Sequence, residues 1–280
     1  MKQSSRIQCA FVPPHKIDFI RSDLHAGRPI SVCRHRIATT KCSAPVCIAL
    51  ITDLHNSDYG EKQQQLLSAV AQTSPDIIAL CGDIFDDHEH ETHALGLLHT
   101  LAKNGACYYV VGNHEQSHGH VEAIKLAVRR CGITVLSNAT ADIAVPGGTI
   151  RLFGLDDYPK NSVDACTMER QLTKLTAQLD ANTYNVLLHH RPEQFFQLLP
   201  RGFDLMLSGH THGGQWRVPF AQNGLYAPGQ GLFPKYAGGH YTLFGRSIII
   251  SRGLSKKPAW IPRIGNPPEL AVIELVPSSI

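Results

Sequence analysis

The sequence predicts an α/β fold built from right-handed βαβ crossovers, and two observations carry that expectation. Short, continuous apolar runs alternate with helical stretches, and the polar residues best suited to chemistry follow directly after those runs. The first run, residues 46–51, is apolar throughout, as expected of a strand buried on both faces. Residues 61–70 read as a helix. Pro75 breaks the chain before a second buried strand at 76–81. A helix over 93–103, a strand at 107–111 and a helix over 121–130 closed by Gly132 complete three β–α units.

The middle of the chain changes character. Alternating stretches at 140–145 and 149–155, joined through Pro146-Gly147-Gly148, predict a hairpin. A helix near 168–179 follows, then short strands at 185–188, 203–207, 247–251 and 270–275. Residues 212–240 are rich in Gly, Pro and aromatics and read as a long loop region, either a lid over a pocket or a structural return between strands. Residues 1–44 are poorly patterned. They are expected to form an N-terminal extension docked on or packed beside a domain spanning 45–280. Ile17, Ile20 and Leu24 fall at helical spacing there, which predicts a small amphipathic helix, with peripheral membrane contact as its sharper reading.

Composition narrows the function classes. A chain of 280 residues with 43% hydrophobic residues can bury a substantial core. A net charge of +3, with basic residues scattered rather than striped, gives no expectation of a nucleic-acid partner. No apolar run reaches membrane-spanning length, and the first residues carry no apolar signal core, so a cytoplasmic location is expected. The eight cysteines show no C-x-x-C pair, and Cys47, Cys81 and Cys107 lie in or beside buried runs. Reduced core thiols are the expectation.

Four short polar segments carry the chemistry: Asp53-Leu54-His55, Gly82-Asp83, Gly112-Asn113-His114-Glu115 and Gly209-His210-Thr211-His212. His189-His190-Arg191-Pro192 lies between the last two. Each follows a predicted buried strand, at the end where open α/β sheets place ligands. Carboxylate, imidazole and amide oxygen are the donors that hold a pair of divalent metals, and a carboxylate is the usual shared ligand. Asp83, directly after a glycine, is the expected bridge. Asp53, His55 and His212 would complete one site, and Asn113, His190 and His210 the other. Asp53 and His55, one residue apart, are expected to point the same way on an extended segment. His114, beside a ligand, is expected to protonate the departing oxygen or to stabilise the phosphoryl oxygens, with Asp86 orienting it.

The series D-x-H, G-D, G-N-H-E, H, G-H-x-H resembles the calcineurin-like metallophosphoesterase superfamily. More narrowly, it is similar to the bacterial YkuE/YaeI-like single-domain branch, through His190-Arg191-Pro192, Gly214-Gln215-Trp216-Arg217, Ser251-Arg252-Gly253 and Pro267-Pro268-Glu269-Leu270. The resemblance implies a four-layer αββα sandwich and two divalent metal ions (Mn, Fe or Zn, with Mn the first choice in an assay). It also selects His190 over His189, because the pattern has His, any residue, Pro. The implied activity is hydrolysis of a small-molecule phosphate ester, as a phosphodiesterase or phosphatase, with a metal-bridging hydroxide as nucleophile. Two alternatives accompany it: a pyrophosphatase of a nucleotide-linked lipid or sugar such as UDP-diacylglucosamine, and a non-catalytic metal-binding scaffold for protein partners.

Other segments imitate these motifs. Asp23-Leu24-His25 also spells D-x-H, but it follows Arg21-Ser22 rather than an apolar run and precedes a turn. The tract 86–93 is dense in histidines and acids, which favours a polar helix start over a third metal site. Arg191, Arg217 and Arg252 suit phosphate recognition; salt bridges to Glu193 or Glu269 would explain them equally well.

Overall fold

Strand periodicity sorts the apolar runs into two faces, and those faces build the molecule. The structure, a computed structural model, describes residues 9–20, 29–86, 91–117, 119–158, 165–217, 223–256 and 262–278. With strands and helices numbered in chain order, the first sheet runs β2 (Lys16–Ile20), β3 (Ile30–Thr39), β16 (Glu269–Pro277), β4 (Val46–Ile51), β5 (Ile77–Cys81), β6 (Ala106–Val110) and β7 (Thr134–Val135). Its β4-β5-β6-β7 half is parallel, and helices α1 (Gln64–Ala71), α2 (Glu91–Asn104) and α4 (Val121–Arg130) lie along its connections.

The second sheet runs β1 (Ala10–Val12), β14 (Gly239–Leu243), β15 (Arg246–Ile250), β11 (Leu205–Ser208), β10 (Tyr184–Leu188), β9 (Gly148–Gly154) and β8 (Ala139–Val145). The expected hairpin of the middle region is the β8–β9 pair. Helices α5 (Ala165–Thr176) and α6 (Phe195–Leu198) belong to this half, and α3 (Asn113–Ser117) is a short turn of helix after β6.

Each central strand is apolar on both sides because each side meets a different layer. In β4, Ile48 and Leu50 face the second sheet, in one cluster with Val186, Leu188, Leu205, Leu207 and Ile249. Ala49 and Ile51 of the same strand join Leu66, Leu97, Leu98 and Val128 on the helical side. In the second sheet the complementary residues Leu187, Met206, Ile248 and Ile250 pack with Leu172 and Leu175 of α5 and with Phe195 and Leu198. Helix, sheet, sheet and helix are thus joined by three apolar interfaces, which is the four-layer αββα sandwich. The described cysteines are free thiols. Among the described residues no helix is long and apolar enough to cross a membrane.

The N-terminal expectation needs correction. The stretch before residue 45 supplies strands to both sheets: β1 pairs with β14, and β3 is sandwiched between β2 and β16 over ten residues. Residues 16–20 form a strand rather than a helix, because pairing to β3 supplies backbone partners that the local spacing does not reveal. Leu24, and with it the Asp23/His25 imitation motif, lies outside the described residues, as do 87–90 of the acid- and histidine-rich tract.

Ile30, Val32 and Ile37 of β3 are buried. At about 1.5–3 kcal/mol each, they contribute a large part of the roughly 5–15 kcal/mol that holds a domain folded. A chain beginning at residue 45 should therefore lose the cooperative denaturant transition of the full chain, read by circular dichroism. An unchanged midpoint would show that the early strands are dispensable.

Candidate metal centre

Five strands, three from one sheet and two from the other, end at one place. Asp53 and His55 follow β4, Asp83 follows β5, Asn113 and His114 follow β6, His190 follows β10, and His210 and His212 follow β11. Asp53, His55, Asp83, His210 and His212 all take positive φ, between 48° and 70°. L-residues reach this left-handed region at a cost of about 1–2 kcal/mol each, and it turns the chain sharply off the strand. Asp53 and His55 therefore converge through two left-handed residues, not through the extended segment that the spacing suggested.

The carboxylates are deeply enclosed. Asp53, Asp83 and His190 are at most 1% exposed. Asp53 accepts the backbone N–H of His210 at 2.9 and 3.0 Å and the Thr52 hydroxyl at 2.9 Å. Asp83 Oδ1 accepts the His114 backbone N–H at 2.9 Å. Asp83 Oδ2 lies 3.0 Å from His190 Nε2 and 3.7 Å from His55 Nε2. Asp53 Oδ1 is 3.7 Å from His212 Nε2. Three groups of donors result, Asp53/His55/His212, Asp83/His190/His210 and the less buried His55/Asp86/His114, and the donor atoms within each lie within 4.8 Å of one another. Close approach at the strand ends requires glycine. A Cβ on Gly112 would sit 2.2 Å from Asp83 Oδ1, and one on Gly209 would sit 2.3 Å from Asp53 Oδ2.

The donor set fits divalent cations. His190 Nδ1 lies 2.8 Å from the Cys81 carbonyl, so that nitrogen carries the proton and Nε2 presents its lone pair. This lone pair faces the carboxylates of Asp83 and Asp53, which calls for a positive charge between them. Desolvation alone would lower the His190 pKa; Asp83 and then Asp53 outweigh it and raise it to about 10. A metal ion answers the same demand that this proton does. His55 Nε2, Asn113 Oδ1 and His190 Nε2 are buried and make no hydrogen bond, an arrangement that is costly unless a ligand satisfies it. Burial pushes His210 and His212 well below the usual imidazole range, assisted by His190 and His55 respectively. Both are held neutral, the form in which imidazole binds metal.

His114 stands apart from the enclosed ligands, with 41% of its side chain exposed. Its Nδ1 lies 2.7 Å from Asp86 Oδ1, and its ring meets the His55 ring edge-on at 4.5 Å. The Asp86 hydrogen bond raises the His114 pKa. Hydrogen bonds from His114 and then His55 hold Asp86 well below the usual carboxylate range. Eight of the nine residues singled out in the sequence are joined by these contacts, and the ninth, Asn113, precedes His114 with its Oδ1 buried. Of the arginines, Arg191 pairs through Nε with both oxygens of Asp157 (2.9 and 2.7 Å) and reaches within 3.4 Å of His210 Nε2, while Arg252 pairs with Glu269 at 3.2 Å.

Three structural contributions went unread in the sequence. Glu115, 0% exposed, accepts the backbone N–H groups of Asp83, Ile84, Phe85 and Gly112 at 2.7–3.1 Å. Its position inside the G-N-H-E segment was the available signal. Asn266 donates to the carbonyls of His212 and Gln215, and Arg263 lies 3.5 Å from His212 Nδ1. Neither has a local sequence signal, since more than fifty residues separate them from His212.

A family model described as calcineurin-like phosphoesterase matches residues 47–214, the span that holds all nine site residues. The Caenorhabditis elegans protein F40B5.2, named as a metallophosphoesterase, is 33% identical over 62% of this chain, which spans only 38% of that relative's length. The uncharacterized metallophosphoesterase YkuE of Bacillus subtilis is 29% identical over 74% of this chain and 71% of its own. Phosphodiesterase YaeI of Escherichia coli is 30% identical over 87% of each chain. Among solved structures, TT1561 of Thermus thermophilus shares the fold, with a TM-score of 0.53 and 13% identity over 75% of this chain and 91% of that one.

Removing the Glu115 carboxylate would strand four backbone N–H groups. Glu115→Ala should destabilise the fold by roughly 3–5 kcal/mol, and Glu115→Gln by less. Where the protein still folds, cation affinity should fall about 10–100-fold. Denaturant unfolding and calorimetric metal titration read the two effects; wild-type values for Glu115→Ala in both would remove Glu115 from this role.

Proposed function

We propose that this chain, which belongs to the calcineurin-like phosphoesterase family, hydrolyses phosphodiesters of small molecules at two divalent cations held between its sheets. That it is a metal-dependent phosphoric ester hydrolase follows from the family. The preference for diesters and the roles of individual residues are our reading. The observation that carries it is the adjacency of two enclosed donor groups, Asp53/His55/His212 and Asp83/His190/His210, linked by Asp83 Oδ2 facing His55, with exposed His114 beside them.

In this reading Asp53, His55 and His212 would hold one cation, and Asn113, His190 and His210 the other. Asp83 lies between them, since its Oδ2 is the oxygen that faces both His55 and His190. Bound cations supply Lewis acidity, lowering the pKa of water and neutralising charge on phosphoryl oxygens. The protein supplies the rest. Buried carboxylates and neutral imidazoles fix the donor positions, and neutral Asn113 limits the negative charge that an anionic ester must approach. Asp86 holds the His114 ring at Nδ1 and leaves Nε2 to donate a proton to the departing alkoxide. Arg191, locked by Asp157 beside His210, adds a fixed positive charge at the wall of the site. Diester preference is supported by the name of the E. coli relative, phosphodiesterase YaeI, with which nearly the whole chain aligns.

Metal-stripped protein with Mn²⁺ added back, assayed on a chromogenic phosphodiester and its monoester, tests this directly. Turnover should depend on the cation and favour the diester. His114→Ala should lower kcat by about 10²–10⁴-fold while two metals per chain remain bound, whereas Asp83→Asn should lose both metal and activity. Two bound metals with no turnover of either ester would sink the reading.

A further inference from the structure

The chain from residue 205 to 268 contains no Asp or Glu but seven Lys and Arg, although the whole protein is nearly balanced at 26 basic and 23 acidic residues. The same segment carries six of the ten large apolar side chains exposed among the described residues; Phe244 lies apart in the turn after Leu243, and the other five are Trp216, Tyr226, Leu232, Phe233 and Ile264, at 40%, 52%, 67%, 76% and 51%. Backbone pairing gathers these five. Strands β12 (Tyr226–Ala227) and β13 (Gly231–Leu232) form a small hairpin in which Tyr226 sits directly opposite Leu232, so their side chains share a face. Phe233 donates to the Leu225 carbonyl, Leu225 to that of Trp216, and Trp216 pairs with Ile264 in an isolated bridge.

This platform is ordered. Gln230 bonds Tyr236 twice, at 2.7 and 3.0 Å, and Trp216 Nε1 donates to the Pro262 carbonyl at 2.9 Å. Phe233 holds φ at +52° while remaining the most exposed large apolar residue described, a strained and unburied aromatic that the fold itself does not need. The platform also abuts the metal centre. Gly224, at its base, packs backbone to backbone against Gly214, two residues beyond His212.

From the basic surplus of this segment and the exposed Trp, Tyr, Phe, Leu and Ile together, we propose that this face docks on an anionic lipid bilayer and sets the mouth of the metal centre at the membrane surface. Aromatic and aliphatic side chains beside a cation, here exposed Lys235 two residues beyond Phe233, are the composition that partitions into a lipid interface, and each basic group near an anionic surface adds attraction.

Flotation of the full-length protein with vesicles tests the proposal, and it reads binding without any turnover. The protein should float with phosphatidylcholine mixed with an equal weight of phosphatidylglycerol, and far less with phosphatidylcholine alone. The double variant Leu232→Ser/Phe233→Ser, which removes no buried contact, should lower the bound fraction about tenfold or more while keeping the wild-type metal stoichiometry. Phe244→Ser, at an equally exposed aromatic in the β14–β15 turn, should float like wild type. No flotation of wild type with the anionic vesicles, unchanged flotation of the double variant, or equal loss in Phe244→Ser would overturn the proposal. So would a dimer, seen by light scattering, that the double variant splits while lipid binding stays absent; the face would then join two copies of the chain.

Discussion

The Glu115 carboxylate accepts the N–H groups of Gly112, Asp83, Ile84 and Phe85, and the turns that follow β5 and β6 hang from it. These two turns carry Asp83, Asn113 and His114. A buried anion with four charge-assisted hydrogen bonds is a far stiffer fastening than any one turn could make alone. That stiffness matters because Asp83 leaves its strand in a left-handed conformation. Five ligand positions share this conformation, so the centre stores several kcal/mol of backbone strain in total. Such strain persists only where the surroundings over-determine it, and here Glu115, the Asp53–His210 bond and the Gly112 and Gly209 contacts do so.

The same enclosure creates an electrostatic conflict. Asp53 and Asp83 are buried near each other, and burial, with Asp83 adding to it, raises the Asp53 pKa against the pull of His190 and His55. Imidazoles interleave them: His190 lies between both, with His55 and His212 on the flanks. Backbone donors then take the carboxylate oxygens that the imidazoles do not face. The lone pairs left over, on His55, His190 and Asn113, are those that water cannot reach and the protein does not use. Burial excludes water, rigid turns fix the positions, and the leftover acceptors define where positive charge belongs.

The fold and the candidate site were legible because both are written locally. A central strand in a four-layer sandwich is apolar on both faces, so β4, β5 and β10 appear as unbroken runs, and the ligands sit within four residues of the strand ends. What escaped was non-local. Residues 16–20 look helical in isolation and become a strand only because β3 lies alongside. Burial of β3 depends on β16, more than two hundred residues away. Asn266 and Arg263 brace His212 across more than fifty residues, and Asp157 finds Arg191 across thirty-four. Even the convergence of Asp53 and His55 came from left-handed turns rather than from strand alternation, so the residues were identified on a rule that this backbone does not follow.

The long region after His212 illustrates how a candidate metal ligand and an exposed surface become mechanically one part. Asn266 binds the carbonyls of His212 and Gln215, and the next residue, Trp216, bridges to Ile264 two positions before Asn266. Gly214 and Gly224 meet without side chains between them, so nothing compressible separates the ligand turn from the base of the hairpin. A shift of the β12–β13 hairpin is therefore transmitted to His212 through backbone contacts and a doubly donating amide. By contrast, His190 and His55 follow the central strands β10 and β4 directly. Of the two ligand groups, the one that contains His212 is thus mechanically tied to the platform, while His210, two residues earlier, is pinned through its backbone to Asp53. The point where the rigid core gives way to the braced loop lies between those two histidines.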